Sequence, residues 1–544
     1  MGLQVQTGLP TIATSCDERS HQFQQLQEQL SDRWRSIDEY DRNPHDILVV
    51  PSLSLDTREL EKIKGIHHYE ERLLYTVIRL RNPRTRLIYV TSQPIHPTVA
   101  DYYLQLLPGV PFSHARDRLL MVSTYDASLK PLTEKVLDRP RLIERIRQAL
   151  RPGQSYMTCF NSTFLERDLA LQLGVPLWGL DPDFLYLGTK SGSRSIFQEC
   201  DVPHPDGSDL VHNAEDLAVV TAELWERQPH LKRIVIKLNE GFSGEGNALL
   251  DLRSLQAVAP DNASHARRVG AILRQFQHLR FQAPNETWEN FRGRISQLGA
   301  IAEGFVEGED KRSPSVQGRI HPNGHVEILS THDQILGGPD GQIFLGCRFP
   351  ADDSYRLQIQ DYGRRIGECL ASKGALERYS VDFIAAQHPN ETSESWEIQA
   401  IEINLRKGGT THPFMTLKLL TNGHYDSETG LFHDFEGNPK YYIASDNLHK
   451  PSYRGLLPSD LMDIIAHHRL HFNSATETGT SFHLMGCLSE FGKLGLTSIG
   501  NSPAQAQSIH NQVVRVLDEE TKGAEMHPYR SSYPTTRIRW DGNV

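Results

Sequence analysis

A short run near residue 400 combines metal-ligating, cationic and flexible residues. Residues 401–413 read Ile-Glu-Ile-Asn-Leu-Arg-Lys-Gly-Gly-Thr-Thr-His-Pro. Glu402 and Asn404 are two positions apart in a strand pattern, so their side chains emerge on one face. Carboxylate and amide oxygens suit Mg²⁺ better than Zn²⁺. Arg406 and Lys407 add positive charge, and the glycines let the backbone approach an anion. The run therefore predicts a site where a magnesium-bound polyphosphate meets an anionic substrate.

A lysine on an apolar strand, followed by a glycine-rich loop, is a second candidate. Lys237 lies in the apolar run 233–238, and Gly241, Gly244 and Gly246 follow it. The loop N–H groups could point at phosphate oxygens while the ammonium neutralises charge. Because the spacing matches neither a Walker loop nor a Rossmann fingerprint, the segment alone favours a hairpin turn with a surface lysine.

Acidic residues beside apolar ones form two further candidates. In residues 302–310, the pair Phe305-Val306 is flanked by carboxylates and could present backbone groups to adenine, although a solvated acidic turn is favoured by itself. Asp382 alternates with apolar neighbours, where a carboxylate needs a partner unless it faces solvent. A return strand beginning at Trp396 predicts an antiparallel pair, which would bring Asp382 to Glu402 and Asn404.

Alternating strands and helices are predicted to position these residues. Residues 18–42 are helix-prone, and a mostly parallel α/β layer follows up to about residue 185. The second α/β region contains a polar helical segment over 253–292, which we interpret as an insertion. A helix over 355–372 should end at Gly374, and Ser502-Pro503 should open another. Strands are expected at 45–51, 86–91, 156–160, 176–180, 233–238, 300–306, 325–330, 342–347, 379–386 and 396–405.

Composition limits the class of protein. The chain has 544 residues, which favours two to four domains, and a formal net charge of −11 with no long basic run. That charge disfavours general nucleic-acid binding. There is no apolar run of membrane-spanning length and no signal-peptide core. The six cysteines are scattered without a Cys-x-x-Cys pair, which indicates buried free thiols and a cytoplasmic protein.

The order of these segments resembles the ATP-grasp superfamily over roughly residues 185–420. The resemblance implies an ATP-grasp fold in which Lys190 and Lys237 bind ATP phosphates. It also implies a phosphate-covering loop that includes Gly241, Ser243, Gly244 and Gly246.

The same resemblance assigns the remaining ligand contacts. Adenine would be held by Glu303, Phe305 and Val306, and ribose by Glu309, with Asp310 as a rival. The implied Mg²⁺ ligands are Asp382, Glu402 and Asn404. Arg406 would face the reacting carboxylate or the transferred phosphate, and Arg406 and Lys237 would be the catalytic residues.

The similarity extends on both sides of this region. After a helical segment over 1–45, residues 46–185 resemble a pre-ATP-grasp α/β domain, and the catalytic domain would span 186–455. Residues 456–530 contain Gly-Thr-Ser-Phe-His-Leu, Ser-Glu-Phe-Gly-Lys-Leu-Gly and Ile-Gly-Asn-Ser-Pro, which resemble the C-terminal α/β domain of the pheganomycin-type peptide ligases. A polar tail over 531–544 completes the chain.

The family resemblance implies an ATP-dependent carboxylate–amine ligase that acts through an acyl phosphate. ATP and Mg²⁺ would be its cofactors, and small-molecule or peptide carboxylates and amines its substrates, with no nucleic acid or membrane partner and an open oligomeric state. A small-molecule kinase on the same fold and an inactive nucleotide-binding regulator are the alternatives. We interpret His467, His468 and His471 as a surface helix rather than a metal site, and His412-Pro413 as the end of a strand.

Overall fold

The computed structural model describes residues 16–31, 44–241, 246–283, 286–337, 343–387 and 396–522. Its first layer is a parallel sheet with strand order β3-β2-β1-β4-β5. Residues 47–50 of the central strand are fully buried, because helices cover both faces of a parallel sheet. The strands are β1 His45–Val50, β2 Thr85–Thr91, β3 Leu119–Ser123, β4 Ser155–Cys159 and β5 Leu177–Trp178.

Helices surround this sheet, and the predicted N-terminal helix is among them. That helix ends at Glu28 and buries Phe23 and Leu26, and Leu30 just beyond its end is also buried; the last part of the predicted segment, residues 32–42, lies outside the described residues. The α-helices of this layer are Cys16–Glu28, Thr57–Glu61, Pro97–Gln105, Phe112–Arg116, Leu132–Leu137, Pro140–Ala149 and Phe164–Leu173, with 3₁₀ segments Ile66–Arg81 and Pro182–Gly188.

The second layer is an antiparallel sheet with order β8-β7-β6-β9. Its strands are β6 Arg233–Leu238, β7 Asn247–Asp251, β8 Arg280–Phe281 and β9 Ala300–Gly304. Its helices are Lys190–Glu199, Ala214–Arg227, His265–Gln275 and Trp288–Leu298, with 3₁₀ segments Leu252–Val258 and Phe276–His278. The described part of the 253–292 segment is mostly helical as expected, apart from strand β8, and its residues Ile272, Phe276 and Phe291 complete the apolar core of this layer.

An eleven-stranded sheet forms the largest layer. Its C-terminal strands β19 and β20 join it through β18, so the C-terminal segment extends the central sheet. The strands are β10 Asp310–Arg312, β11 Pro314–Ile320, β12 Val326–Gly337, β13 Ile343–Phe349, β14 Glu377–Gln387, β15 Glu397–Asn404, β16 His424–Asp426, β17 Leu431–His433, β18 Pro439–His449, β19 Gly479–His483 and β20 Lys493–Gly500. Its helices are Arg356–Ser372, Thr411–Thr421, Pro458–His468, Leu488–Phe491 and Pro503–Glu520, with 3₁₀ turns Pro451–Tyr453 and Met485–Cys487.

The predicted helix ends near this sheet are confirmed. Gly374 has φ +93° just beyond the helix that ends at Ser372, a conformation that glycine adopts without strain. The Ser502 hydroxyl accepts a hydrogen bond from the Gln505 N–H at 3.1 Å and caps the last helix.

Two sequence expectations have a structural counterpart in the described ranges. Five cysteines there are free thiols; Cys159, Cys347 and Cys487 are buried as expected, whereas Cys200 and Cys369 are only partly buried. The helices in those ranges all fall short of the length and apolar character that crossing a membrane requires.

Candidate active site

The predicted metal ligands lie on two neighbouring strands of the large sheet. Asp382 on β14 is the register partner of Glu402 on β15, which confirms the expected antiparallel pair. Directly opposed residues project from the same face, and Asn404 follows two positions later on that face. The Asn404 amide donates to Asp382 Oδ2 at 2.9 Å, and the Gln334 amide donates to Oδ1 at 2.7 Å.

The predicted Mg²⁺ ligands include two carboxylates that lie close together, and their negative charge is only partly neutralised. Burial and the neighbouring charge of Glu402 raise the pKa of Asp382 to about 6. Burial also acts to raise the pKa of Glu402, but Lys190, whose Nζ is 2.5 Å from Glu402 Oε1, holds it below its ordinary value. Two carboxylates and an amide oxygen form an oxygen donor set, so these residues fit a Mg²⁺ ion, which would relieve the repulsion between the acids.

Lys237 is held in a buried ion pair. Its Nζ contacts the Glu303 carboxylate on the adjacent strand β9, and Arg194 Nη1 lies 3.3 Å from the same carboxylate. Lys237 is 5% exposed and Glu303 is 3% exposed. The Glu303 side chain is therefore engaged by two cations and positions Lys237; the predicted contact of this residue to adenine stays a prediction.

The segment after β9 contributes an apolar wall. The Phe305 ring contacts two cations: the Arg233 guanidinium is 3.8 Å and the Lys311 ammonium 4.2 Å from its centroid. Phe305 and the buried Val306 both line the larger cavity of the site, which is called the main cavity below, as a nucleotide-base contact requires.

The two acidic residues that follow this segment lie outside the described lining of the cavity. Glu309 and Asp310 are exposed, and neither contributes to the described lining of the cavity. The predicted ribose contact of Glu309, with Asp310 as its rival, stays a prediction.

The glycine loop is described only at its two ends. The Leu238 N–H donates to the Gly246 carbonyl at 2.9 Å, so the loop leaves and re-enters the sheet at neighbouring strands. Gly241 lines a second cavity beside Lys190. Ser243 and Gly244 lie outside the described residues.

Lys407 points away from the candidate ligand site. Its Nζ is buried and donates to Thr158 Oγ1 at 3.1 Å and to the Cys159 carbonyl at 2.7 Å. The expectation that Lys407 supplies charge to an anionic ligand is therefore wrong. The residue instead fastens the segment after β15 to the end of β4 in the parallel sheet.

One cavity of about 1650 Å³ joins the candidate residues. Its wall includes the predicted Mg²⁺ ligands and the segment with Phe305 and Val306, and a second cavity of about 1500 Å³ also includes Glu402 and Asn404. The predicted residues in the first wall are Lys237, Glu303, Phe305, Val306, Asp382, Glu402, Asn404 and Arg406, and those in the second are Lys190, Gly241, Glu402, Asn404 and Arg406.

Several residues in the first wall were not predicted. Arg72 enters from the first layer, and its Nη2 is 2.7 Å from Asp446 Oδ2 on β18. The sequence signal that could have indicated these residues is a charge within an otherwise apolar segment, because a buried charge needs a partner. Burial and the neighbouring positive charge of Arg72 lower the pKa of Arg406, although Glu402 and Asp382 oppose that shift.

The central part of the chain has an ATP-grasp fold. Residues 184–269 and 261–428 match the family model described as "IQCH-like, ATP-grasp". Residues 460–513 match the PGM1 C-terminal domain. The predicted fold class and the predicted superfamily are thereby confirmed.

Particular relatives extend this assignment. The chain is 28% identical over 479 residues to the L-propargylglycine–L-glutamate ligase of Streptantibioticus cattleyicolor, covering 86% of this chain and 93% of that protein. It is 23% identical over 444 residues to IQ motif-containing protein H of Danio rerio, covering 75% of this chain and 41% of that protein. A biotin carboxylase structure from Campylobacter jejuni shares the fold, with a TM-score of 0.50, 13% identity, and coverage of 86% and 89% of the two chains.

Proposed function

We propose that this chain is an ATP-dependent carboxylate–amine ligase that forms an amide and releases ADP and phosphate. The observation that carries the proposal is the convergence of Asp382, Glu402 and Asn404 with Arg406 and Lys237 on one cavity. The set offers oxygen ligands for a divalent cation beside cations that can bind phosphate and carboxylate groups.

The proposed reaction has two steps that balance in atoms and charge. A carboxylate oxygen of the first substrate attacks the γ-phosphorus of ATP, the bond to the β-phosphate oxygen breaks, and ADP leaves. The amine of the second substrate then attacks the acyl carbon, and phosphate leaves as the amide forms and a proton is released.

Individual residues have distinct tasks in this scheme. Mg²⁺ held by Asp382, Glu402 and Asn404 would supply charge neutralisation for phosphoryl transfer. Lys237 would neutralise the nucleotide phosphates, and Glu303 fixes its position through their ion pair. The chain's own residues thus orient the carboxylate and the nucleotide.

The substrate class follows from the ligase relative. That protein is named for joining two amino acids, and it covers most of this chain. We therefore propose amino acids or short peptides as the carboxylate and amine substrates, with MgATP as the phosphoryl donor.

The test is a screen for ADP release with pairs of amino acids and short peptides. With the correct pair, we expect ADP release to require both substrates, and hydroxylamine in place of the amine should yield a hydroxamate. Lys237→Met should abolish both products, while Lys130→Met, which changes a surface ion pair, should leave them unchanged. ADP release that needs no amine and gives no hydroxamate would show a kinase rather than a ligase.

A further inference from the structure

Two histidines and an aspartate form a buried cluster that the proposed ligase reaction does not use. His412 lies in the first turn of the helix Thr411–Thr421, which corrects its interpretation as the end of a strand. Asp446 is on β18 and His483 is on β19. The three residues are between 3% and 5% exposed, so water does not screen their contacts.

Three electron-rich atoms converge in this cluster. The Nε2 atoms of His412 and His483 are 3.0 Å apart, and each is 2.7 Å from the same oxygen, Oδ1 of Asp446. Within the described ranges this is the one group of at least three histidine, cysteine or acidic residues with ligand atoms gathered in this way.

Hydrogen bonding alone cannot satisfy all three contacts. If both Nε2 atoms carried protons, the two hydrogens directed at Oδ1 would lie roughly 2 Å apart and repel one another. If the ring of His412 donated to His483, the unprotonated Nε2 of His483 would face the negative carboxylate of Asp446 at 2.7 Å. Each assignment leaves one repulsive contact, whatever the charge of the rings.

A shared cation removes this conflict, because all three lone pairs then point at a positive charge. Two ligands at about 2.0–2.1 Å from one ion stand roughly 2.9 Å apart at a right angle and roughly 3.3 Å apart in a tetrahedron. The observed separations of 2.7–3.0 Å match the right-angled arrangement. Two imidazoles and one carboxylate at right angles suit a divalent transition-metal ion with more than four ligands, Zn²⁺ among them, whereas Mg²⁺ prefers oxygen ligands alone.

We propose that His412, Asp446 and His483 bind a divalent transition-metal ion of the Zn²⁺ class, separate from the Mg²⁺ edge. The second carboxylate oxygen of Asp446 contacts Arg72 at 2.7 Å, which orients the carboxylate toward the two rings. The ion joins the helix after β15 to the C-terminal strands. It also fixes Asp446, and through it Arg72, in the wall of the main cavity.

The test measures metal binding rather than activity, so its result does not depend on the proposed ligase function. The tag-free full chain is treated with a chelator and titrated with Zn²⁺ against a competing metal indicator. We expect one tight equivalent of Zn²⁺ per chain, and His483→Gln should weaken its binding at least about 100-fold. Glu402→Gln should leave this equivalent unchanged, because the Mg²⁺ edge lies elsewhere.

A matched control separates this site from an ordinary surface histidine. His468 Nε2 also lies 2.7 Å from a carboxylate, that of Glu520, but among the described residues no third ligand joins them. His468→Gln should therefore retain the tight equivalent. Co²⁺ added to the unsubstituted chain should give visible absorption bands that Zn²⁺ displaces, a measurement that needs no variant to fold. The absence of saturable Zn²⁺ binding by the unsubstituted chain, or equal binding by the His483→Gln chain, would overturn the proposal.

Discussion

The charge of Glu402 is the feature whose removal tests the proposed site most directly. Glu402→Gln keeps the shape of the side chain but removes the negative charge of a proposed Mg²⁺ ligand. The same charge pairs with Lys190, whose Nζ lies 2.5 Å from Glu402 Oε1. Breaking a fully buried ion pair costs about 3–5 kcal/mol. The Glu402 side chain is 26% exposed toward the cavity, and the new amide oxygen can still accept from Lys190. We therefore expect a loss of about 1–3 kcal/mol in unfolding free energy, with the fold retained.

The expected effect on turnover is larger than the effect on stability. Charge neutralisation by a bound metal ion is worth several kcal/mol in the transition state, so a loss of about 4 kcal/mol would lower kcat roughly 10³-fold. ADP release is measured with saturating substrates over a range of Mg²⁺ concentrations, together with thermal unfolding. The Mg²⁺ dependence of ADP binding should also weaken.

Glu368→Gln is the matched control, because it makes the same chemical change in an exposed ion pair with Arg364. That pair should contribute less than about 1 kcal/mol, and the control should keep full activity. If Glu402→Gln retained kcat within tenfold of the unsubstituted chain, with unchanged Mg²⁺ dependence, the assignment of Glu402 as a metal ligand would be refuted.

Two further predictions concern buried charges outside the metal edge. Burial raises the pKa of Glu70 from 4.5 to about 7, so the folded state binds a proton that the unfolded state has lost between these values, and stability falls as pH rises through that window. Over this window the free energy of unfolding should change by up to about 3 kcal/mol, and Glu70→Gln should remove that change and flatten the dependence of Tm on pH. Parallel curves for the two proteins would refute the raised pKa of Glu70. Lys407→Met removes the buried donor to Thr158 and Cys159 and should cost about 2–4 kcal/mol in unfolding free energy. Nucleotide affinity of the folded variant should stay within about threefold by calorimetry; unchanged Tm with lost anion binding would show instead that Lys407 faces the ligand.

The grouping of the proposed Mg²⁺ ligands could largely be predicted, because it depends on spacing within short stretches of sequence. A strand places alternate residues on one face, so Glu402 and Asn404 could be assigned a shared face from their spacing alone. The return strand at Trp396 then predicted the pairing that sets Asp382 opposite Glu402, and the register confirms it. The order of these segments along the chain was enough to indicate the superfamily.

Other assignments depended on directions that local sequence does not encode. Lys407 follows Arg406 directly, yet its side chain turns into the parallel sheet, where the Cys159 carbonyl offers a buried acceptor. The Glu303 carboxylate pairs with Lys237 because β6 and β9 are neighbours in the second sheet. In both cases the nearest available partner, rather than the residue type, decided the role.

By itself, the sequence determined the alternating α/β elements, the ordered nucleotide-site segments and the shared face of Glu402 and Asn404. These depend on periodicity and short-range spacing, which the chain carries in every local window. Only the tertiary structure gathered His412, Asp446 and His483, since their spacing along the chain carries no metal-binding pattern. Asp446 and His483 come together because β18 and β19 both pair with β20, and His412 joins them from the helix after β15.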